Sequence, residues 1–256
     1  MSDQEYHDII DATQIPLVKV LKIKYDFKIS NIFHIAICFI NNFKLPFFLG
    51  VAVLFFYSLI FQAILEIFAP FYFISLGLLF LDLVLASILY IGFNTLTLKH
   101  LSGEEINFQK DFFASFNYFK KLFAAFCIRS IIISLIVILT SFIFYTIYLS
   151  SESLGLAIML VILVIMLIIY LLVSWCLTEW IIIDYPDNSV FQCILVSMKV
   201  VNQHFFKFCF LFTLLAFINM LAAIPFGIGL IWSLPFSTLT IGILYKSIFY
   251  TIEEQY

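Results

Sequence analysis

Ser189-Val-Phe-Gln-Cys-Ile-Leu-Val-Ser-Met-Lys-Val-Val-Asn-Gln-His204 is the stretch whose reading decides the fold. Val190, Ile194 and Met198 recur at helical spacing, opposite Gln192, Lys199, Asn202 and Gln203. An apolar run, residues 205–224, follows at once. Pro225-Phe-Gly227 interrupts it, and a second apolar run carries Pro235 and ends at Tyr245-Lys246. The pattern reads as a surface helix followed by two long apolar helices joined by a tight turn.

Working outward, two earlier stretches follow the same plan. Ile29, Ile32, Phe33, Ala36, Ile37 and Ile40 share a helical face ahead of the apolar run 45–65, and run 71–98 follows. Phe112, Phe113, Phe116, Phe119 and Phe123 form the stripe ahead of runs 122–149 and 154–183. An Asn with a nearby Phe-Lys precedes the first run of each unit: Asn42-Phe43-Lys44, Asn117-Tyr-Phe-Lys120 and Asn202-Gln-His-Phe-Phe-Lys207. The expected architecture is all-α: six transmembrane helices in three hairpins, each preceded by an amphipathic interface helix. The units cover about 29–98, 108–183 and 188–250. A lead-in, 1–28, comes before them, and a tail, 251–256, comes after.

Composition demands a membrane. The chain is 64% hydrophobic and 11% charged, against about 45–50% and roughly 25% for soluble domains. A chain of this size keeps too large a surface to hide that excess in a water-soluble core. The apolar runs are continuous rather than alternating, so helices are expected and barrel strands are not. Residues 1–11 lack the basic start and short apolar core of a signal peptide, so the first span is expected to serve as its own insertion signal.

Orientation follows from the 13 Lys and Arg residues. Twelve fall before the first run, between the second and third, beside the start of the fifth, or at the end of the sixth. Arg129 alone lies well inside a run, whereas Lys207 stands at the start of run 205–224. The alternate connections, 66–70, 150–153 and 225–226, hold none. Multi-pass insertion in the cytoplasmic (inner) membrane with both termini cytoplasmic is the expectation. A net charge of -3 argues against nucleic acid as a partner. Cys38, Cys127, Cys176, Cys193 and Cys209 are odd in number and scattered, like the four histidines, so neither a disulfide framework nor a metal site is expected. No cofactor motif is present.

The connections carry a resemblance. Leu98-Lys-His-Leu-Ser-Gly103-Glu104, then Asp111-Phe112-Phe113 and Phe116, is similar to the inner loop of a group of poorly characterised bacterial six-helix membrane proteins. The group includes the membrane domain found on some glycerophosphodiester phosphodiesterases. Asp184, Ser197, Lys199, Asn202, Gly227-Ile-Gly229, Pro235-Phe236 and Tyr245 resemble the group's later segments. The resemblance implies a six-helix membrane domain and no activity, because the group is mostly without one, and hydrolysis by the phosphodiesterases is not carried over. The Lys-, Ile-, Phe- and Asn-rich usage suits an AT-rich bacterium.

Ionisable groups within a membrane cost roughly 2.5–3.5 kcal/mol at mid-bilayer and are functional candidates by default. Asp82 and Arg129 are expected to pair between the second and third runs. Glu179, with Asp184, lies at the inner end of the fourth, and Asn219 sits mid-run, placed to bond across helices. In the lead-in, Leu21, Ile23, Tyr25 and Phe27 alternate with charged residues, a period-two strand pattern that reads either as an extended basic lead-in on the membrane surface or as an edge for docking a partner. The leading function read from the sequence is a non-enzymatic membrane subunit that packs against another integral membrane protein and lipid. A carrier or scramblase for a lipid-like or small amphipathic substrate is the second. A lipid-acting enzyme using Glu179 and Asp184 is the third.

Overall fold

In the computed structural model, residues 13–14, 17–20, 25–149, 154–224 and 228–251 are described. Almost all are helical. In order they form α1 (Leu17–Val20), α2 (Ile29–Phe68), α3 (Tyr72–Leu101), α4 (Phe108–Phe112), a 3₁₀ segment (Phe113–Tyr118) and α5 (Phe119–Leu149). Then come α6 (Leu154–Ser174), α7 (Thr178–Asp184), α8 (Val190–Gln203), α9 (Phe205–Ala223) and α10 (Leu230–Phe249). Two short strands, β1 (Thr13–Gln14) and β2 (Tyr250–Thr251), pair antiparallel, with Thr13 opposite Thr251 and Gln14 opposite Tyr250.

Five segments among the described residues are long and apolar enough to cross a membrane: Phe43–Phe68, Tyr72–Leu101, Phe108–Thr146, Gly155–Asp184 and Phe205–Ala223. The sixth expected run, α10, differs in kind. It holds Ser233, Ser237, Thr238, Thr240 and Lys246, all buried against protein. Its hydroxyls donate to its own carbonyls, Ser237 to Ser233 and Thr240 to Phe236. Small polar side chains let neighbouring helices approach closely. A Cβ added at Gly242 would lie 2.6 Å from the Thr97 methyl of α3.

The first amphipathic helix is not separate. α2 runs 40 residues from Ile29 to Phe68 with Pro46 inside it, about 60 Å at 1.5 Å per residue. That is twice the roughly 30 Å of a hydrocarbon core, and the part long and apolar enough to cross one is Phe43–Phe68. Ile32, Ala36, Phe39, Phe43 and Phe47 form its buried stripe, whereas Ile37 is exposed. The second amphipathic stretch is α4 plus the 3₁₀ segment. Phe112 is fully buried beneath Gly92, where a Cβ would clash with its carbonyl. Phe113, Phe116 and Phe119 are exposed. Three residues per 3₁₀ turn align these three on one face, which splits the stripe expected from α-helical spacing. The third stretch is a discrete helix. Ser189 and Gln192 close a capping box at the start of α8, which satisfies two orphan amides.

The core gathers at the lysine-bearing end. It takes the first half of α2, the last half of α3, the start of α9 and the end of α10, with Trp180 and Ile181 of α7 beneath them. α2 packs on both α3 and α10, α5 on α6, and α9 on α10. Away from that end α3, α5 and α6 present exposed Phe, Leu and Ile, among them Phe73, Phe142 and Leu163.

The loops at the core end are tied by charge. Gly103 takes a left-handed φ of 69°. Gly103 N–H bonds to the His100 carbonyl and Glu104 N–H to the Lys99 carbonyl, which is a Schellman closure of α3. The Lys246 ammonium donates to the Leu101 carbonyl at 2.9 Å, a cation at a helix C-terminus. Lys99 Nζ pairs with buried Asp111 at 2.9 Å. Asp184 accepts from the hydroxyls of Tyr245 and Tyr250, each at 2.8 Å. Lys99, Gly103, Glu104, Asp111, Asp184 and Tyr245 therefore have structural work at this end of the molecule.

Candidate functional site

A cleft of about 600 Å³ lies between α2, α3, α5, α7, α9 and α10. Its walls are mostly apolar and aromatic, with Ile88, Phe123, Phe126, Trp180 and Phe212 among them. A few polar groups interrupt them: Ser87, Tyr90 and Asn94 on α3, Arg129 on α5, Glu179 on α7 and Thr238 on α10. Tyr90 is 55% exposed, and Leu54, Ser87 and Phe126 are half-buried, so the space is an open cleft rather than a sealed void.

Arg129 is held by two elements. Its Nε donates to the Ala125 carbonyl one turn back on α5, and its Nη2 lies 2.5 Å from Glu179 Oε1. Glu179 is in the first turn of α7, where the helix dipole favours a carboxylate. α7 begins there because the run 154–183 breaks at Trp175-Cys176-Leu177 without Pro or Gly. Ser197 of α8 supplies the missing partners. Its hydroxyl donates to the Ser174 carbonyl at 2.8 Å and accepts from Leu177 N–H at 3.3 Å. A break of this kind satisfies the backbone groups that an interrupted helix leaves orphaned.

The pairing expected between Asp82 and Arg129 is not formed. Asp82 accepts from the Tyr57 hydroxyl at 2.9 Å, which links α3 to α2. The guanidinium turns back toward the core end to reach Ala125 and Glu179, while Asp82 sits about 18 Å along α3 from Asn94. Glu179 and Asp184 do not converge either, since Asp184 takes two tyrosine hydroxyls. Asn219 bonds across helices as expected: its Nδ2 donates to Ser237 Oγ at 2.9 Å, away from the cleft wall. Among the described residues no group of three or more metal-ligating side chains occurs.

Half of the expected docking face is occupied by the chain itself. Leu21 and Ile23 lie outside the described residues. Tyr25 and Phe27 pack on α8 and α9. The Tyr25 hydroxyl donates to the Val200 carbonyl at 2.6 Å, and His204 Nε2 bonds to the Tyr25 carbonyl at 2.5 Å. Phe27 is buried, edge-on to His204 and Phe208. Lys207 donates to Asp26 and to the Phe27 carbonyl. The hydrogen bond from Lys207, then that from Phe27 N–H, holds the Asp26 carboxyl below its usual range. An isolated strand is unstable, and these two rings find burial on their own bundle first.

Tyr90 and Asn94, which line the cleft, were passed over in the sequence, and Ser197 was noted there only for the resemblance and not for the helix break that it holds. Their signal was faint. Asn94 stands among hydroxyl residues in Gly92-Phe-Asn-Thr-Leu-Thr97, near the end of an otherwise apolar run. No family model, curated protein or solved structure matches the chain.

Proposed function

We propose that the protein binds, in the cleft between α3, α5 and α7, an amphipathic lipid-like molecule, and that it serves as a carrier or scramblase for it. The observation that carries this reading is the Arg129–Glu179 pair set in an apolar, aromatic cleft of about 600 Å³. Ligand sites of about 300–1,000 Å³ combine apolar walls with a few placed polar groups. Ionisable groups inside a span mark substrate paths when they line a cavity. The exposed apolar lengths of α3, α5 and α6 suit lipid contact as well as a partner subunit, so they do not favour the subunit reading.

In this proposal α10 is the sixth span and the long helices form three hairpins. The lysine-bearing core end faces the cytoplasm, and the membrane is a bacterial inner membrane. The exposed Phe113, Phe116 and Phe119 sit at its interface, where aromatic rings anchor. Membership of the six-helix group belongs to the same proposal, supported by the loop residues that close α3. The test is occupancy. Protein purified in mild detergent is expected to carry a co-purifying amphipath detectable by native mass spectrometry. Ala86→Trp, which fills the cleft, is expected to remove that molecule while helix content and elution volume stay unchanged. An empty wild-type protein, or full occupancy in Ala86→Trp, contradicts the reading.

A further inference from the structure

We infer that the cleft selects a zwitterionic headgroup, an anionic phosphate joined to an ammonium. The inference rests on the binding function proposed above and adds the chemical class of ligand.

The argument is an inventory of unspent hydrogen-bonding capacity. A guanidinium has five N–H donors. Among the described residues, Arg129 directs one to Ala125 and one to Glu179 Oε1. Three donors remain. Glu179 has one oxygen in that contact and a second oxygen beyond it. Asn94 is only 6% exposed and lines the cleft, yet its amide makes no hydrogen bond among the described residues. Sites for small molecules place a few polar groups with spare hydrogen-bonding capacity among apolar walls, and this set of donors and acceptors at the cleft surface matches a polar group set in an apolar ligand.

The charges decide which occupant. A purely anionic group would meet a guanidinium already half-neutralised and a carboxylate 2.5 Å from it. The like charge would offset much of the gain. A neutral polyol would leave both charges imperfectly matched in an apolar cleft. A group carrying both signs meets both. Its phosphate takes the spare Arg129 donors and the Asn94 amide, and its ammonium takes the free Glu179 oxygen, with the rings of Tyr90 and Trp180 in the same wall.

The test uses purified, delipidated full-length protein in neutral detergent, with lipid retention read by native mass spectrometry. The probes are a phosphatidylethanolamine, a phosphatidylglycerol and a diacylglycerol of identical chains. Phosphatidylethanolamine is expected to be retained about tenfold better than either, the equivalent of one charge-assisted hydrogen bond. Glu179→Gln removes the site for the ammonium, so it is expected to bring phosphatidylglycerol level with phosphatidylethanolamine. If that variant does not fold, the wild-type ranking decides alone. Wild-type protein that retains phosphatidylglycerol or diacylglycerol as well as phosphatidylethanolamine overturns the inference and leaves lipid binding standing. Retention of none overturns both. Competition with water-soluble glycerophosphoethanolamine identifies the source. Displacement at equal concentration supports a free zwitterion with the same headgroup chemistry, and resistance supports the membrane lipid.

Discussion

Arg129 shows what one side chain settles. Within the span run, its length and its bond to Ala125 bring the charge back toward Glu179. Both groups are about four-fifths buried. Removing one partner of a buried pair strands the other charge and costs about 3–5 kcal/mol, whereas replacing both with apolar residues is often nearly neutral. Arg129→Leu and Glu179→Leu are each expected to lower stability in detergent by about 3 kcal/mol, and the double variant to recover most of it. Thermal or denaturant unfolding measures this. Asp82→Leu combined with Arg129→Leu is expected to be additive, because Asp82 answers to Tyr57. The sequence showed which charges lay inside apolar runs. It did not show their partners, because pairing depends on which way each helix turns its face, and runs that are apolar all round leave that rotation open.

At the level of elements, the apolar runs and their order were legible, and the places where helices join or part were not. The 40-residue α2 merges what the polarity change near Asn41 suggested were two helices. The run 154–183 does the reverse and breaks at Trp175–Leu177. No local residue announces the break, because its partner is Ser197, 20 positions beyond Leu177. Ser197→Ala is expected to leave the Ser174 carbonyl and the Leu177 amide unsatisfied. A buried orphan costs about 1–3 kcal/mol. Ser197→Thr, which keeps the hydroxyl, is expected to lose less. Since α7 carries Glu179, the Ala variant is also expected to weaken ligand retention. A stability change without any loss of bound ligand would separate the break from the site.

For the whole molecule, lysine placement gives the sharpest expectation. In a cysteine-free background, Cys introduced at Ser102 or Ser189 is expected to label only after the cytoplasmic side is exposed, and Cys at Ser151 in intact cells. Label on Ser102 from outside would overturn the six-span arrangement. The core end was visible in the sequence as the lysine-rich side. The position of α10 in the interior was not, because its Ser, Thr and Pro content reads as a weak span until the helices that surround it are known. The cleft was equally hidden. Its walls come from six helices, and neither Asn94 nor Tyr90 looks exceptional within its own run.

The pairing of β1 with β2 has a consequence for timing during synthesis. Thr13 and Gln14 find their partners in Tyr250 and Thr251, residues made long after them. At about 5–20 residues per second, the early strand waits roughly 10–50 s for its mate. Through that interval Leu17 and Val20, which end up in the core beside α10, have no finished surface to occupy. The emerging chain thus carries an uncovered apolar stretch until α10 is made. The β1–β2 pair therefore couples the burial of Leu17 and Val20 to the arrival of α10 in the bundle.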